Sequence, residues 1–370
     1  MIMNNTFTKE WIQKISNEQK RGRKKADPTL IEKVTKALHL LETLTQTDLN
    51  FIFKGGTALL LLLNEMHRFS IDIDIIIQEN RKDEDLDAIL SKVVEQSNIF
   101  YRFEENIRKG NIKVPKAHYK FFYTSALDGT ESYVLLDVLF EKTHYVDIIG
   151  KDINCKFIDY QEPIRLVNMP SADCILGDKL TAYAPNTTGI PYGKKKELEI
   201  IKQLFDVANL FDRMENIKVV GDTFKMMAKQ ELIYRALEDK YTYQNVLDDI
   251  FHTSRIIGER GRIDKVTFDL LQTGITRIRD YIFSTNYILE SAINSASKAA
   301  YLSLLIKYEI NEVERFDKNI DLRTLEIKDH EYKKFKSIMN FDPEAYFYWY
   351  KSIEILERSN NDTDFIIANN

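Results

Sequence analysis

The spacing of apolar positions changes twice along this 370-residue chain. Behind Asp27-Pro28, the residues Leu30, Ile31, Val34, Leu38 and Leu41 recur at helical spacing, so residues 6–48 read as a helical N-terminal segment. From 49 to about 160 the pattern becomes short aromatic and β-branched runs. These predict strands near 51–54, 71–77, 99–104, 118–124, 132–140 and 155–159, with helices between them. Ile71, Ile73, Ile75 and Ile77 fall on one face of the second run. From 165 to 360 helical spacing returns. Ser171 after Pro170 can cap a helix running through Ala184, and Glu197 to Arg213 forms another. Asn186 to Gly193 is a turn-rich interruption, and Ser359 to Asn370 reads as a frayed tail. The fold class is α/β (α+β) and bilobed. Residues 49–160 form a mixed sheet with flanking helices, and 161–370 a mainly helical C-terminal lobe.

Polar residues that break this pattern carry the chemistry. Phe51-Ile52-Phe53 runs into Lys54-Gly55-Gly56-Thr57 and then an apolar helix from Ala58 to Leu63. Two glycines let backbone approach a ligand closely, and a helix N-terminus presents free N–H groups suited to a triphosphate. Thr57 adds a hydroxyl. A glycine turn before an ordinary amphipathic helix is the plainer account. Asp72 and Asp74 alternate with the isoleucines and share the other strand face, Cα atoms about 6.6–6.8 Å apart. At that spacing two carboxylates can share one metal, or two metals roughly 3.5–4 Å apart. A solvated edge strand would explain them too, although that face more often carries varied polar residues. Asp137 interrupts the apolar run Tyr133 to Phe140 and needs a partner there: a shared metal, an ion pair with Lys or Arg, or open solvent.

Lys54-Gly55-Gly56-Thr57-Ala58 followed by Arg68-Phe69-Ser70-Ile71-Asp72-Ile73-Asp74 resembles the nucleotidyltransferase toxins of the AbiEii/AbiGii type, within the DNA polymerase β-like superfamily. Gly177-Asp178-Lys179-Leu180-Thr181-Ala182 and Ile200 to Asp206 continue the resemblance, which covers about residues 50 to 215. It implies a nucleotidyltransferase-like fold with 49–160 as catalytic core. It implies catalytic roles for Asp72, Asp74, Asp137, Lys179 and Asp206. Nucleotide binding falls to Lys54, Gly55, Gly56, Thr57, Arg68, Ser70 and Lys179, and metal binding to the first three acids, with Mg²⁺ as cofactor, two ions, and an NTP as substrate. The C-terminal lobe is expected to bring Lys179 and Asp206 across a cleft. Local spacing alone allows Lys179 to snorkel and Asp206 to pair with Lys202 four residues earlier.

Composition narrows the setting. A charged fraction of 29% and a hydrophobic fraction of 44% fit a globular chain. Cys155 and Cys174 have no zinc spacing and are too few for a disulfide framework. No signal core or membrane span is visible, so a cytoplasmic protein is expected. A net charge of −5 argues against generic, charge-driven nucleic-acid binding but leaves local basic patches. Two runs stand out, 20–25 and Lys194-Lys195-Lys196; the second lies between the helices of Lys179 and Asp206. Tyr346-Phe347-Tyr348-Trp349-Tyr350 cannot face one way on a helix, so it reads as core rather than a base-stacking strip. There is no Ser-His-Asp or Cys-His pattern and no Walker-type loop.

The expected protein is a metal-dependent transferase, the toxin of a toxin–antitoxin or phage-defence pair, that moves NMP from an NTP to an RNA such as tRNA. Its antitoxin is expected to be a separate chain. Transfer to a protein or small molecule is the alternative acceptor chemistry. A non-catalytic partner-binding module is the alternative class.

Overall fold

The computed structural model describes residues 1–19, 25–63, 68–78, 86–107, 114–282 and 285–368, with side chains to residue 359. Most of the basic run 20–25 therefore lies outside the described residues. The chain forms two compact units: Met1–Ser171 with Asp280–Thr285, and Ala172–Arg279 with Asn286–Asn370.

In the first unit, helices α1 (Lys9–Glu18) and α2 (Pro28–Leu44) precede the sheet. Asp27 caps α2 by accepting from the Thr29 N–H at 2.8 Å, and Pro28 takes the first helical position, where no N–H is needed. Strand β1 (Ile52–Lys54) passes directly into α3 (Gly55–Leu62); β2 (Ile73–Ile77), α4 (Leu86–Gln96), β3 (Arg102–Glu105), β4 (Lys116–Thr124) and β5 (Glu131–Phe140) follow. The sheet order is β1-β2-β5-β4-β3, with β2 parallel to β5 and the other pairs antiparallel. Period-two alternation gives the sheet two unlike faces. One carries Phe53, Ile73, Ile75, Phe121, Val134, Leu136 and Val138, all buried. Helix α2 packs against β2 and β5, and its Ile31, Val34, Leu38 and Leu41 are fully buried. The other face carries the acids.

A small antiparallel sheet of β6 (Ile148–Asp152) and β7 (Leu166–Pro170) completes this unit. The strand predicted at 155–159 does not form. Apolar composition alone suggested it, but the backbone there is held by the N-terminus instead of a ladder. The Phe157 carbonyl accepts from Trp11 Nε1 at 2.9 Å, and Asp159 exchanges bonds with Met3 and Thr6.

The second unit is helical: α5 (Ala172–Ala182), α6 (Glu197–Phe211), α7 (Ile217–Tyr234), α8 (Tyr243–Gly258), α9 (Lys265–Arg277), α10 (Leu289–Lys307) and α11 (Pro343–Ala368). Helices α5 and α6 stop two residues short of their predicted ends at Ala184 and Arg213. Helical backbone continues to Ala368, through most of the expected frayed tail. Of the aromatic run at 346–350, Tyr346, Phe347, Tyr348 and Trp349 are core and Tyr350 is half-buried. Trp349 stacks on Phe335 at 4.1 Å between centroids, and Tyr348 meets Phe211 edge-on at 5.2 Å. Among the described residues no helix is long and apolar enough to cross a membrane.

Candidate active site

The junction of β1 and α3 leaves no turn between strand and helix. Gly55 makes this possible with φ of +83°, a conformation that L side chains rarely adopt. A Cβ on Gly55 would also land on the Asp74 carboxylate, so that carboxylate sits directly against the Gly55 backbone. At Gly56 a Cβ would lie 2.6 Å from Ser70 Oγ and 3.1 Å from Arg68 Nη2. Both glycines are therefore required by close approach, and the side chains that approach them are ones the sequence pointed to. Arg68 is buried, and its Nη1 donates to the Phe69 carbonyl at 3.0 Å. Thr57 is fully buried, and its hydroxyl donates to the Asp72 carbonyl at 2.6 Å. That hydroxyl ties α3 to the segment entering β2, a different use from the phosphate contact expected of it.

Strand register assembles the acids. Asp74 lies opposite Lys54 on β1 and Asp137 on β5, and Asp137 lies opposite His118 on β4. Paired residues on adjacent strands point to the same side of a sheet, so Lys54, Asp74, Asp137 and His118 form one row, with strands about 4.8 Å apart. Two carboxylates side by side repel. A cationic residue stands at one end of the row and an imidazole at the other. His118 Nδ1 lies 2.7 Å from Asp137 Oδ1, and both side chains are partly exposed. Asp72 lies just ahead of β2, two residues before Asp74.

The chemistry of this donor set fits a hard divalent cation: carboxylate oxygens from neighbouring strands, and an imidazole that orients one of them from behind. Among the described residues no three His, Cys, Asp or Glu side chains already converge as a metal cage. The fit rests on the adjacent pair Asp74 and Asp137, with Asp72 brought in from the strand entrance.

Lys179 and Asp206 belong to the second unit. Lys179 on α5 meets Asp206 on α6 at 2.9 Å, with side chains 10% and 2% exposed. Lys202 lies 3.0 Å from Glu199. Asp206 is thus held by an interhelical ion pair, beyond the within-helix pairing that spacing alone suggested. Between these helices the stretch 186–187 is pinned to α8. Asp249 accepts from the Asn186 N–H at 2.8 Å, from Asn186 Nδ2 at 2.7 Å and from the Thr187 hydroxyl at 2.9 Å. Lys194, Lys195 and Lys196 are exposed just ahead of α6.

A sequence-family model described as Nucleotidyl transferase AbiEii toxin, Type IV TA system, matches residues 39–284. The chain belongs to the AbiEii family. The match spans the whole glycine and acid region and extends into the second unit past Asp206. As an AbiEii-family member the protein is a nucleotidyltransferase of the toxin–antitoxin class, and its family implies an antitoxin partner. Among solved structures, JHP933 from Helicobacter pylori is similar at 13% identity, with a TM-score of 0.43 over 75% of this chain and 94% of that one. An antigenic nucleotidyltransferase-like protein from Paracoccidioides brasiliensis is similar at 16% identity, with a TM-score of 0.37 over 56% of this chain and 91% of that one. No curated protein is significantly similar in sequence.

His118 is the residue of this row that sequence reasoning passed over. Its only available signal was indirect. The two strands at 118–124 and 132–140 are joined by a short polar connection, and pairing them as a hairpin sets His118 opposite Asp137.

Proposed function

We propose that this AbiEii-family enzyme transfers a nucleoside monophosphate from an NTP to the 3′ hydroxyl of an RNA, tRNA being the leading candidate, and acts as a toxin that halts growth in phage defence. The observation that supports this reading best is the row in which Asp74 and Asp137 lie in register beside the Gly55 backbone.

In this reading Asp72, Asp74 and Asp137 hold Mg²⁺. The bound metal supplies charge neutralisation for the triphosphate and the leaving pyrophosphate. The N–H groups of Gly55 and Gly56 at the start of α3 receive phosphate oxygens. Arg68 and Ser70, close against Gly56, define the edge of that phosphate seat. Lys54 balances the negative charge of the row from the β1 side. His118 holds the Asp137 carboxylate in one orientation, and Asp137 takes the proton of the attacking hydroxyl. The acceptor oxygen then bonds to the α-phosphorus as the bond to pyrophosphate breaks. Lys179 is assigned to stabilising phosphate charge and Asp206 to holding Lys179, which matches their 2.9 Å pairing. A cytoplasmic location, where NTPs and tRNA are found, is part of the same proposal.

Label transfer is the test. The purified protein, with Mg²⁺ and each α-labelled NTP in turn, is offered total RNA or a protein extract, beside the Asp72→Ala/Asp74→Ala variant. Label in the tRNA band, lost in the variant, supports the proposal and names the nucleotide. Label on protein that survives complete removal of RNA would replace RNA with a protein acceptor. NTP binding without transfer to anything would leave a partner-binding module as the better account.

A further inference from the structure

The sheet face that carries the acids continues along β5, β4 and β3 beyond the row already described. Register places Leu135 opposite Lys120, Tyr133 opposite Phe122, and Phe122 opposite Arg102, all on the face shared by Asp137 and His118. This strip is aromatic and of mixed charge: Lys120 and Arg102 share it with Glu104 and Glu131. Tyr133 is 38% exposed, unusual for a large ring on a sheet face. Lys120 Nζ rests 4.9 Å from the Tyr133 ring centroid, and Lys33 Nζ, from α2, rests 5.5 Å from it. Phe122 sits beside Tyr133 at 5.9 Å, and the Arg102 guanidinium covers Phe122 at 3.5 Å. Arg102 is tied to Glu104 and Glu131, so its charge is already matched. The lysine ammonium groups lie over the ring.

We infer that this strip is the landing surface for the single-stranded 3′ end of the RNA acceptor; the inference rests on the RNA reading above. A base stacking on the exposed ring displaces the flexible lysine that lies over that face, and the freed ammonium meets the adjoining phosphate. A folded acidic protein would satisfy the lysines but leave the ring without a flat partner. Position supports the same occupant. Tyr133 is four residues before Asp137 on one strand and one face, about 13 Å away, the span of a few nucleotides. A base stacked on Tyr133 thus leaves the terminal hydroxyl within reach of the acids.

The test is binding by the full-length protein, without NTP or metal, of a labelled single-stranded RNA oligonucleotide with a free 3′ hydroxyl, read by fluorescence anisotropy. Tyr133→Ala should weaken binding about tenfold or more, and Tyr133→Phe should bind close to wild type, because the ring face is kept. Lys120→Ala should weaken binding and reduce the salt slope by about 0.7, one phosphate contact on a single strand. The same oligonucleotide annealed into a blunt duplex should bind less well than the single strand. Wild-type binding that both Tyr133→Ala and Lys120→Ala leave intact overturns the strip while sparing the RNA reading. Wild-type protein that binds no RNA, yet labels a protein in the transfer assay, overturns both.

Discussion

At Gly55 two separate requirements meet: a positive φ and a neighbour with no room for a methyl group. Gly55→Ala should therefore lose about 1–3 kcal/mol of stability from strain and push the Asp74 carboxylate off its seat. Thermal melts and the label-transfer assay together check this; a variant with wild-type transfer would show that Asp74 does not need that seat. In the proposed mechanism His118 acts through Asp137, which it meets at 2.7 Å, rather than on the substrate. His118→Ala should lower kcat about 10–100-fold and weaken Mg²⁺ binding, measured by titration calorimetry, with little change in KM for the NTP. His118→Asn, which can still donate a hydrogen bond, should recover part of both. Equal losses in both variants, accompanied by a lower melting temperature, would mark His118 as a folding residue only. Glycine sterics are readable in a sequence because they concern a single residue. His118 was not readable, because its meaning depends on which residue lies opposite it.

At the scale of elements, α2 combines a fully apolar face with buried titratable groups. His39 is held down to about 4 by burial, and secondarily by the Lys36 charge. In the unfolded chain it binds its proton near 6.5. Between those values the unfolded state takes up a proton the folded state does not, so this stabilisation is complete above about pH 6.5 and is lost as pH falls toward 4. The effect amounts to at most about 3 kcal/mol. Urea denaturation of His39→Gln should show a flatter loss of stability across that window than wild type; parallel curves would refute the assignment. The apolar positions of α2 were legible from spacing and its start from Asp27-Pro28, since both are local. The pinning of 186–187 by Asp249 was not, because the carboxylate arrives from a distant helix. Asp249→Ala should remove the acceptor of three donors; the two on exposed Asn186 can turn to water, and the buried Thr187 hydroxyl should cost about 1–3 kcal/mol, as measured by thermal melt.

Across the whole molecule the chain leaves the first unit at Ser171 and returns to it for Asp280–Thr285. That short return supplies the Tyr281 carbonyl that accepts from the Phe69 N–H at 2.9 Å, and Ile282 bridges Arg68. A fragment ending at residue 171 should therefore melt lower than the intact chain and lose NTP affinity, because the Arg68 to Ser70 edge loses its support. A fragment with intact NTP affinity would show that the return segment is dispensable. The Lys179–Asp206 pair offers a second test. Lys179→Ala alone removes one charged partner from the buried Asp206 carboxylate and should cost about 1.5–3 kcal/mol, read by thermal melt. Lys179→Met with Asp206→Leu should restore most of that stability. A restored fold without transfer would support the phosphate role; restored transfer would make the pair purely structural.

The amino-acid sequence by itself determined the glycine junction, the alternation of acids with isoleucines in β2, the apolar runs of β4 and β5, the helical second half and the family. All of these rest on local sterics and on periods of two or 3.6 residues, which any stretch of chain displays on its own. Only the tertiary structure decided that β2 lies beside β5, so that Asp74 neighbours Asp137. It also decided that His118 completes their row, that the Thr57 hydroxyl serves the Asp72 carbonyl, that Asp206 pairs with Lys179, and that 155–159 is held by the N-terminus and not by a strand. Each depends on register and on backbone hydrogen bonds between segments far apart in the chain. Those are settled by which pairing buries the most apolar surface while leaving no polar group unmatched, a property of the assembled molecule that no local window contains.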